Sequence, residues 1–99
     1  RLILVGPLAV DDELNSLPNV YFHSLVDYWK LFSIMSTSCL AIAPLQKSHF
    51  TNCKSNVKFL EACVSGVHLL ASPTSDMKRI SDAHITLCET PEDFQNAIF

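Results

Sequence analysis

The sequence predicts an α/β fold built on a mainly parallel sheet of four or five strands with helices on both faces. Short apolar runs alternate along the chain with stretches of helical periodicity, which is the pattern of parallel strands joined by helical crossovers. The runs are apolar throughout instead of alternating with polar residues, as expected of strands covered on both faces. With 99 residues and 48% hydrophobic content, the chain suits one domain spanning residues 1–99.

Five runs are predicted as strands, because each is short and apolar and ends at turn-forming or polar residues. They cover residues 2–5, 20–24, 40–44, 67–72 and 85–89. Right-handed crossovers are expected between successive parallel strands.

A helix is predicted between the second and third strands. Apolar residues recur there at the i, i+3, i+4 and i+7 spacing of one helix face, and Asp27 precedes them where an N-cap is expected. These apolar residues are Tyr28, Leu31, Phe32 and Met35. We expect this helix to cover the sheet.

A further helix is predicted to begin near Pro91. Thr90 is a capping residue, Pro91 suits the first helical position, and carboxylates follow in the first turn. Phe94, Ala97 and Ile98 share one face of this helix, and we expect that face to be buried.

Charge and hydropathy argue against several classes of partner. The net charge is −3 and the lysines and arginines are scattered, so the chain lacks the basic stripe of a nucleic-acid-binding surface. No apolar segment approaches the ~20 residues that a membrane span needs, and a cytoplasmic protein is expected. Because the chain begins without Met in an apolar run and ends at Phe99 inside a predicted helix, we expect an excerpt of a longer protein.

The four cysteines do not form a metal-binding pattern. No two of them are spaced as CxxC, and the four histidines stand apart, so neither a metal site nor a disulfide framework is expected. Cys39, Cys63 and Cys88 fall in apolar stretches, and we expect them to be small buried residues in a reducing compartment.

The segment from residue 44 to residue 73 carries the candidate chemistry. A predicted strand leads into a polar loop over residues 46–54 and then into a helix that Ser55 and Asn56 open and Gly66 closes. Ligands of open α/β sheets bind at such places, where a helix N-terminus offers unpaired N–H groups to an anion. The segment therefore predicts a phosphate site, with Ser55 as the capping residue.

Charged side chains extend this candidate site along the helix. Lys54 lies beside the helix start, Lys58 follows about one turn on, and Glu61 lies at i+3 from Lys58. The lysines would face a diphosphate while Glu61 accepts hydrogen bonds from the hydroxyls of a ribose. An ordinary surface helix with one Lys58–Glu61 pair explains the same residues, and the spacing leaves both interpretations open.

The order ILVGP, NVYFHSLV, LAIAPL and FTNCKSNVKFLEACVSGVHLLAS resembles the C-terminal half of family 4 glycosyltransferases and their bacterial polysaccharide relatives. The most specific part of this resemblance covers residues 50–72. It implies a truncated, Rossmann-like, three-layer donor-binding lobe of a two-lobed (GT-B) enzyme. Such enzymes transfer a sugar from a nucleotide diphosphate donor to a hydroxyl acceptor without a metal held by a DxD motif, so no cofactor is implied.

The resemblance also implies roles for individual residues. Glu61 matches the glutamate that holds the donor ribose, and Ser55 and Asn56 match the helix start beneath the diphosphate. Leu25 and Val26 match the loop that lies beside the base.

Two residues depart from the family pattern, and part of the family's structure lies upstream of the chain. Cys53 stands eight positions before Glu61, where many members have a first glutamate that contacts the donor sugar. His68 replaces a proline, and we expect it to be a structural histidine. The family's first C-lobe strand and its acceptor lobe would precede Arg1, so no catalytic residue is assigned within the chain. Loss of that strand predicts self-association through exposed strand edges.

Other functional classes find less support in the sequence. Only Gly6 and Gly66 are present, which excludes the GxGxxG dinucleotide motif and the P-loop, and no GxSxG hydrolase motif occurs. A receiver-like signalling domain stays as an alternative, although Asp11 and Asp12 come later than the acidic pair of such domains. A sugar-nucleotide epimerase on the same scaffold is a second alternative.

Overall fold

A computed structural model of the chain describes residues 1–80 and 83–99. Helices and strands alternate along these residues, which confirms the predicted α/β class. The strands are β1 Leu2–Val5, β2 Val20–His23, β3 Leu40–Ala43, β4 His68–Ala71 and β5 Ile85–Leu87. The helices are α1 Asp12–Asn15, α2 Tyr28–Ser36, α3 His49–Asn52, α4 Val57–Ser65, α5 Ser75–Lys78 and α6 Pro91–Ile98.

The strands pair in two groups, and the predicted single sheet of four or five strands is therefore wrong. β1 pairs with β2, while β3, β4 and β5 form a separate sheet in that order. Every one of these pairings is parallel, as predicted. Apolar runs locate strands, but the choice of partner depends on residues far apart in the sequence, which the runs do not encode.

The chain divides into two units, Arg1–Leu31 and Phe32–Phe99. The prediction of one domain over residues 1–99 is not decided by this division and stays a prediction. In the first unit, β1 and β2 pair from Leu2 opposite Val20 onward. In the second unit, β3 pairs with β4 and β4 with β5.

The second unit holds the hydrophobic core, which lies where α4 packs on β4. Phe59 and Ala62 of α4 and Leu69 and Ala71 of β4 are all buried in one cluster, together with Val67 and Met77. Leu70, which lies between Leu69 and Ala71 in β4, is also only 1% exposed. Both faces of β4 are therefore covered, as its continuous apolar run predicts.

The helix caps follow the local sequence signals. Asp27 accepts a hydrogen bond from the Lys30 N–H at 2.8 Å, which confirms it as a cap of α2. Thr90 and Asp93 form a capping box at the start of α6, and Pro91 is its first residue. These signals are reliable because a cap involves only residues within one turn.

Several burial predictions are wrong. Ala97 and Ile98 of α6 are exposed, and of the predicted face only Phe94 is half-buried. Cys39 and Cys63 are also exposed. Helical periodicity shows which residues share a face, but another element has to cover that face before it is buried. The short helices α1, α3 and α5 were not predicted, because each is a single capped turn of 4 residues.

Replacement of Gly66 is expected to destabilise the protein although space is available. Gly66 ends α4 with φ of +70°, and a Cβ built there would meet no atom within 4 Å. Gly66→Ala should lower the free energy of unfolding by about 1 kcal/mol, because a β-carbon is disfavoured in the left-handed region. Gly66→Asn, which tolerates that region better, should cost less. Urea unfolding measures both, and equal losses would contradict this explanation.

The α6 capping box predicts a pH-dependent contribution to stability. Hydrogen bonds from the Thr90 and Glu89 N–H groups lower the pKa of Asp93, so its carboxylate stabilises the folded state above the ordinary carboxyl pKa and loses that effect as pH falls through the lowered value. Asp93→Asn should therefore reduce stability at pH 7, and the difference from the wild type should shrink at acidic pH.

Glu92→Gln is the matched control for this titration. Glu92 is the other carboxylate in the first turn of α6, but the capping box uses Asp93. Urea unfolding between pH 7 and pH 3 should show the larger effect for Asp93→Asn. Identical curves for the two variants would contradict a specific role for the box.

Candidate functional site

A cavity of about 250 Å³ lies at the carboxyl ends of β3 and β4 in the second unit. It is the place where the predicted phosphate site was expected. Its lining consists of Ile42, Ala43, Pro44, Leu45, Lys54, Ser55, Lys58, Ser72, Thr74 and Met77. Half of these residues are apolar, and the two lysines come from the start of α4 and from the residues just before it.

Lys54, Ser55 and Lys58 all line this cavity, and their role in binding a donor stays a prediction. The helix start differs in one respect, because Asn56, and not Ser55, occupies the N-cap position of α4. The Asn56 side chain makes no capping hydrogen bond, since its backbone, at ψ of 22°, lies outside the extended region that capping residues prefer. The N–H groups in the first turn of α4 therefore receive no hydrogen bond from a capping side chain. They point toward the N-terminal end of the helix, beside Ser55.

Glu61 is buried and bonded to a cavity-lining lysine. Lys58 Nζ lies 3.1 Å from Glu61 Oε2, and the two side chains are 62% and 8% exposed. Glu61 is not among the residues that line the cavity. The simpler interpretation of the sequence expected an exposed ion pair on the helix surface. In the structure the Glu61 carboxylate is buried, and its ion-pair partner Lys58 lines the cavity.

Lys54 is placed by an aromatic contact. Its ammonium lies 5.4 Å from the centre of the Phe50 ring, a distance at which the cation is attracted to the ring face. Phe50 is 76% exposed and belongs to α3. Lys54 therefore has a preferred position at the cavity although it is a flexible side chain near the surface.

The remaining residues singled out by the sequence lie elsewhere. Leu25 and Val26 lie between β2 and α2 in the first unit, where Leu25 is 80% exposed, and their place beside a base stays a prediction. Cys53 is exposed at the C-cap of α3. His68 Nε2 lies 2.8 Å from Thr86 Oγ1 on the neighbouring strand, in keeping with a structural histidine.

Three polar residues of this region were missed by sequence reasoning. The Ser72 hydroxyl accepts from the Leu45 N–H at 2.8 Å and donates to the Leu45 carbonyl at 3.2 Å. Thr74 is 5% exposed and caps α5, and Asn52 Oδ1 accepts from the Ser75 N–H at 2.9 Å. The only signal in the sequence is for two of them: Ser72 is the last residue of a predicted strand and Thr74 follows two residues later, at the end of a strand where sheet ligands bind.

The cysteines are free thiols, and the buried one is not activated. Cys88 is 1% exposed, and burial, together with the nearby Asp93 carboxylate, raises the pKa of its thiol. A thiol with a raised pKa stays protonated at neutral pH, whereas nucleophilic or metal-binding chemistry needs the thiolate. Cys88 is the one predicted buried cysteine that the structure confirms.

Within residues 1–80 and 83–99, no cluster of three or more His, Cys, Asp or Glu side chains is arranged to hold a metal ion. None of the helices in those same residues combines the length and the apolar character that crossing a bilayer requires.

Comparison of the chain with protein-family models, with curated proteins and with solved structures found no match.

The Lys58–Glu61 pair is expected to contribute measurably to stability. Because Lys58 is largely exposed while Glu61 is buried, a double-mutant cycle of Lys58→Ala and Glu61→Gln should give a coupling free energy of about 1 kcal/mol. Asp76 and Arg79 form the matched control, since they are also spaced i,i+3 but are 35% and 78% exposed at 3.4 Å. Their cycle should give a few tenths of a kcal/mol at most. Equal coupling in both pairs would contradict a special environment for Glu61.

Proposed function

We propose that this chain is the donor-binding part of a glycosyltransferase of the family 4 type, with the cavity as the site of a nucleotide diphosphate sugar. The observation that carries the proposal is the cavity itself, at the carboxyl ends of two parallel strands and beside the start of α4. Phosphorylated ligands of parallel α/β proteins bind in that position. The parallel β3–α4–β4 crossover also supports a Rossmann-like lobe of a GT-B enzyme.

The charges around the cavity suit a diphosphate. Lys54 and Lys58 supply two cations, and Ser55 supplies a hydroxyl. The first turn of α4 adds the positive end of a 9-residue helix. Together these groups would neutralise a diphosphate while the apolar wall, which includes Leu45 and Met77, contacts the uncharged part of the donor.

Glu61 is proposed to hold the donor ribose. Its Oε2 atom is bonded to Lys58, but a carboxylate offers about four lone-pair positions and can accept further hydrogen bonds from hydroxyl groups. In this arrangement Lys58 bridges the diphosphate and Glu61. The role of this chain would be to bind the donor, and none of its residues is given a catalytic role.

The receiver-like alternative finds no specific support. Such domains use an acidic pair near the end of the first strand, whereas β1 here is followed by Gly6 and Pro7. Asp11, the next acidic residue, accepts a hydrogen bond from the Leu14 N–H at 2.8 Å and caps α1. Its carboxylate therefore has a structural use.

Donor binding is tested by the effect of replacing Glu61 and Lys54 on nucleotide affinity. The affinities of UDP, ADP and GDP are measured by calorimetry, with the corresponding nucleosides as ligands that lack the diphosphate. Glu61→Ala should weaken binding of the preferred nucleotide by about ten- to a hundredfold, as expected for loss of hydrogen bonds to a charged group. Lys54→Gln should have a smaller effect that declines as the salt concentration rises.

Lys47→Gln is the matched control for Lys54→Gln. Lys47 belongs to the same loop and is exposed, but it is not among the residues that line the cavity. Its replacement should leave nucleotide affinity unchanged. Wild-type affinity in Glu61→Ala and Lys54→Gln, with stability preserved, would refute the donor site.

A further inference from the structure

We propose that Ser72 and Asn52 are positioning residues, which fasten the two ends of the loop between β3 and α4 and so fix the cation-bearing wall of the cavity. The loop begins at Pro44, where the chain leaves β3, and ends at Lys54 and Ser55. The inference rests on the proposed function for the nature of the ligand. The fastening itself is a property of the loop and can be measured without a ligand.

Ser72 fastens the beginning of the loop. Its own N–H donates to the Ala43 carbonyl at 3.2 Å, which extends the β3–β4 pairing by one residue. Pro44 then interrupts the ladder, because proline has no N–H to donate. The Ser72 hydroxyl takes over by bonding both the N–H and the carbonyl of Leu45, a residue 27 positions away in the sequence.

This geometry makes Ser72 a positioning residue and not a ligand-binding donor. A serine hydroxyl has one proton to donate, and Ser72 donates it to the Leu45 carbonyl. Although Ser72 lines the cavity, its effect on a bound anion is therefore exerted through Leu45 and the loop that follows.

Asn52 fastens the other end of the loop. Its Oδ1 atom accepts from the Ser75 N–H at 2.9 Å, across 23 positions of sequence. That N–H belongs to the first turn of α5, whose N–H groups have no partner within the helix. Asn52 stands two residues before Lys54, so this bond limits the positions that the Lys54 backbone can take.

Hydrogen bonds inside the loop connect the two fastened ends. Thr51 Oγ1 donates to the Gln46 carbonyl at 2.6 Å, and Ser48 and Thr51 form the capping box of α3. The loop is thus bonded internally and is attached at Ser72, just after β4, and at Ser75, the first residue of α5. Loss of either attachment would let Lys54 and Ser55 move away from the cavity, and binding would then have to order them again.

The first experiment measures the fastening without any ligand. Amide hydrogen exchange at Leu45 is followed by NMR in the wild type, Ser72→Ala and Ser72→Thr. Exchange should be at least about fivefold faster in Ser72→Ala, because the N–H loses its acceptor, and close to wild type in Ser72→Thr, which keeps a hydroxyl. Ser38→Ala is the matched control, since Ser38 is also half-buried but its hydroxyl donates to the carbonyl of Ile34, only four residues away.

The second experiment measures the consequence for binding. The affinity for the nucleoside diphosphate that the wild type binds best should fall by about three- to tenfold in Ser72→Ala, which loses two hydrogen bonds, and in Asn52→Ala, which loses one. Ser72→Thr and Asn52→Asp, which keep the hydroxyl and the acceptor oxygen, should restore it. All titrations are made well below the melting temperature of each variant, so that a loss of global stability does not imitate a loss of affinity.

The outcomes separate this inference from the proposed function. If the wild type binds no nucleoside diphosphate, the proposed function fails, and faster Leu45 exchange in Ser72→Ala still supports the fastening. Unchanged exchange in Ser72→Ala, or equal losses in Ser72→Ala and Ser72→Thr, would overturn the role of Ser72. If Ser72→Ala does not fold, the inference is tested with Asn52→Ala, which should fold because Asn52 is exposed. Wild-type nucleotide affinity in Asn52→Ala would overturn the inference.

Discussion

The packing of α4 on β4 is the constraint on which the candidate site depends. Phe59 and Ala62 are buried against Leu69 and Ala71, and this contact sets both the direction and the position of the helix. Because β3 and β4 are parallel, the helix that joins them must begin at their carboxyl ends. The cavity and its lysines lie at the carboxyl ends of the strands because a helix that connects two parallel strands starts there and runs back to the other end of the sheet.

The site combines strand and core residues with long charged side chains. The cavity floor is sheet and core, whereas Lys54 and Lys58 are long side chains that reach over its edge. Each lysine is held by one partner, Phe50 in the first case and Glu61 in the second. A flexible cation that is already placed by such a partner loses less conformational entropy when an anion binds. The anion site proposed at the start of α4 would therefore be partly ordered before a ligand binds.

The resemblance to family 4 glycosyltransferases, which stays a prediction, and the cavity concern the same segment of the chain for different reasons. The resemblance depends on the identities of residues such as Lys54, Ser55 and Glu61. The structure adds that Lys54 and Ser55 line one cavity and that Glu61 is joined to it by Lys58. Cys53, where many family members have a glutamate, is exposed at the end of α3, so donor-sugar contacts at this position would have to differ from those of the family pattern.

The sequence by itself determined the local features of this protein. Strand positions, the cap at Asp27, the capping box at Thr90 and the helix end at Gly66 follow from residues within one turn or one short run. Only the tertiary structure decided which strands pair, that Glu61 is buried, and that Ser72 holds Leu45. These features depend on groups that are distant in the sequence, and no local pattern specifies which distant group will supply a partner or a cover.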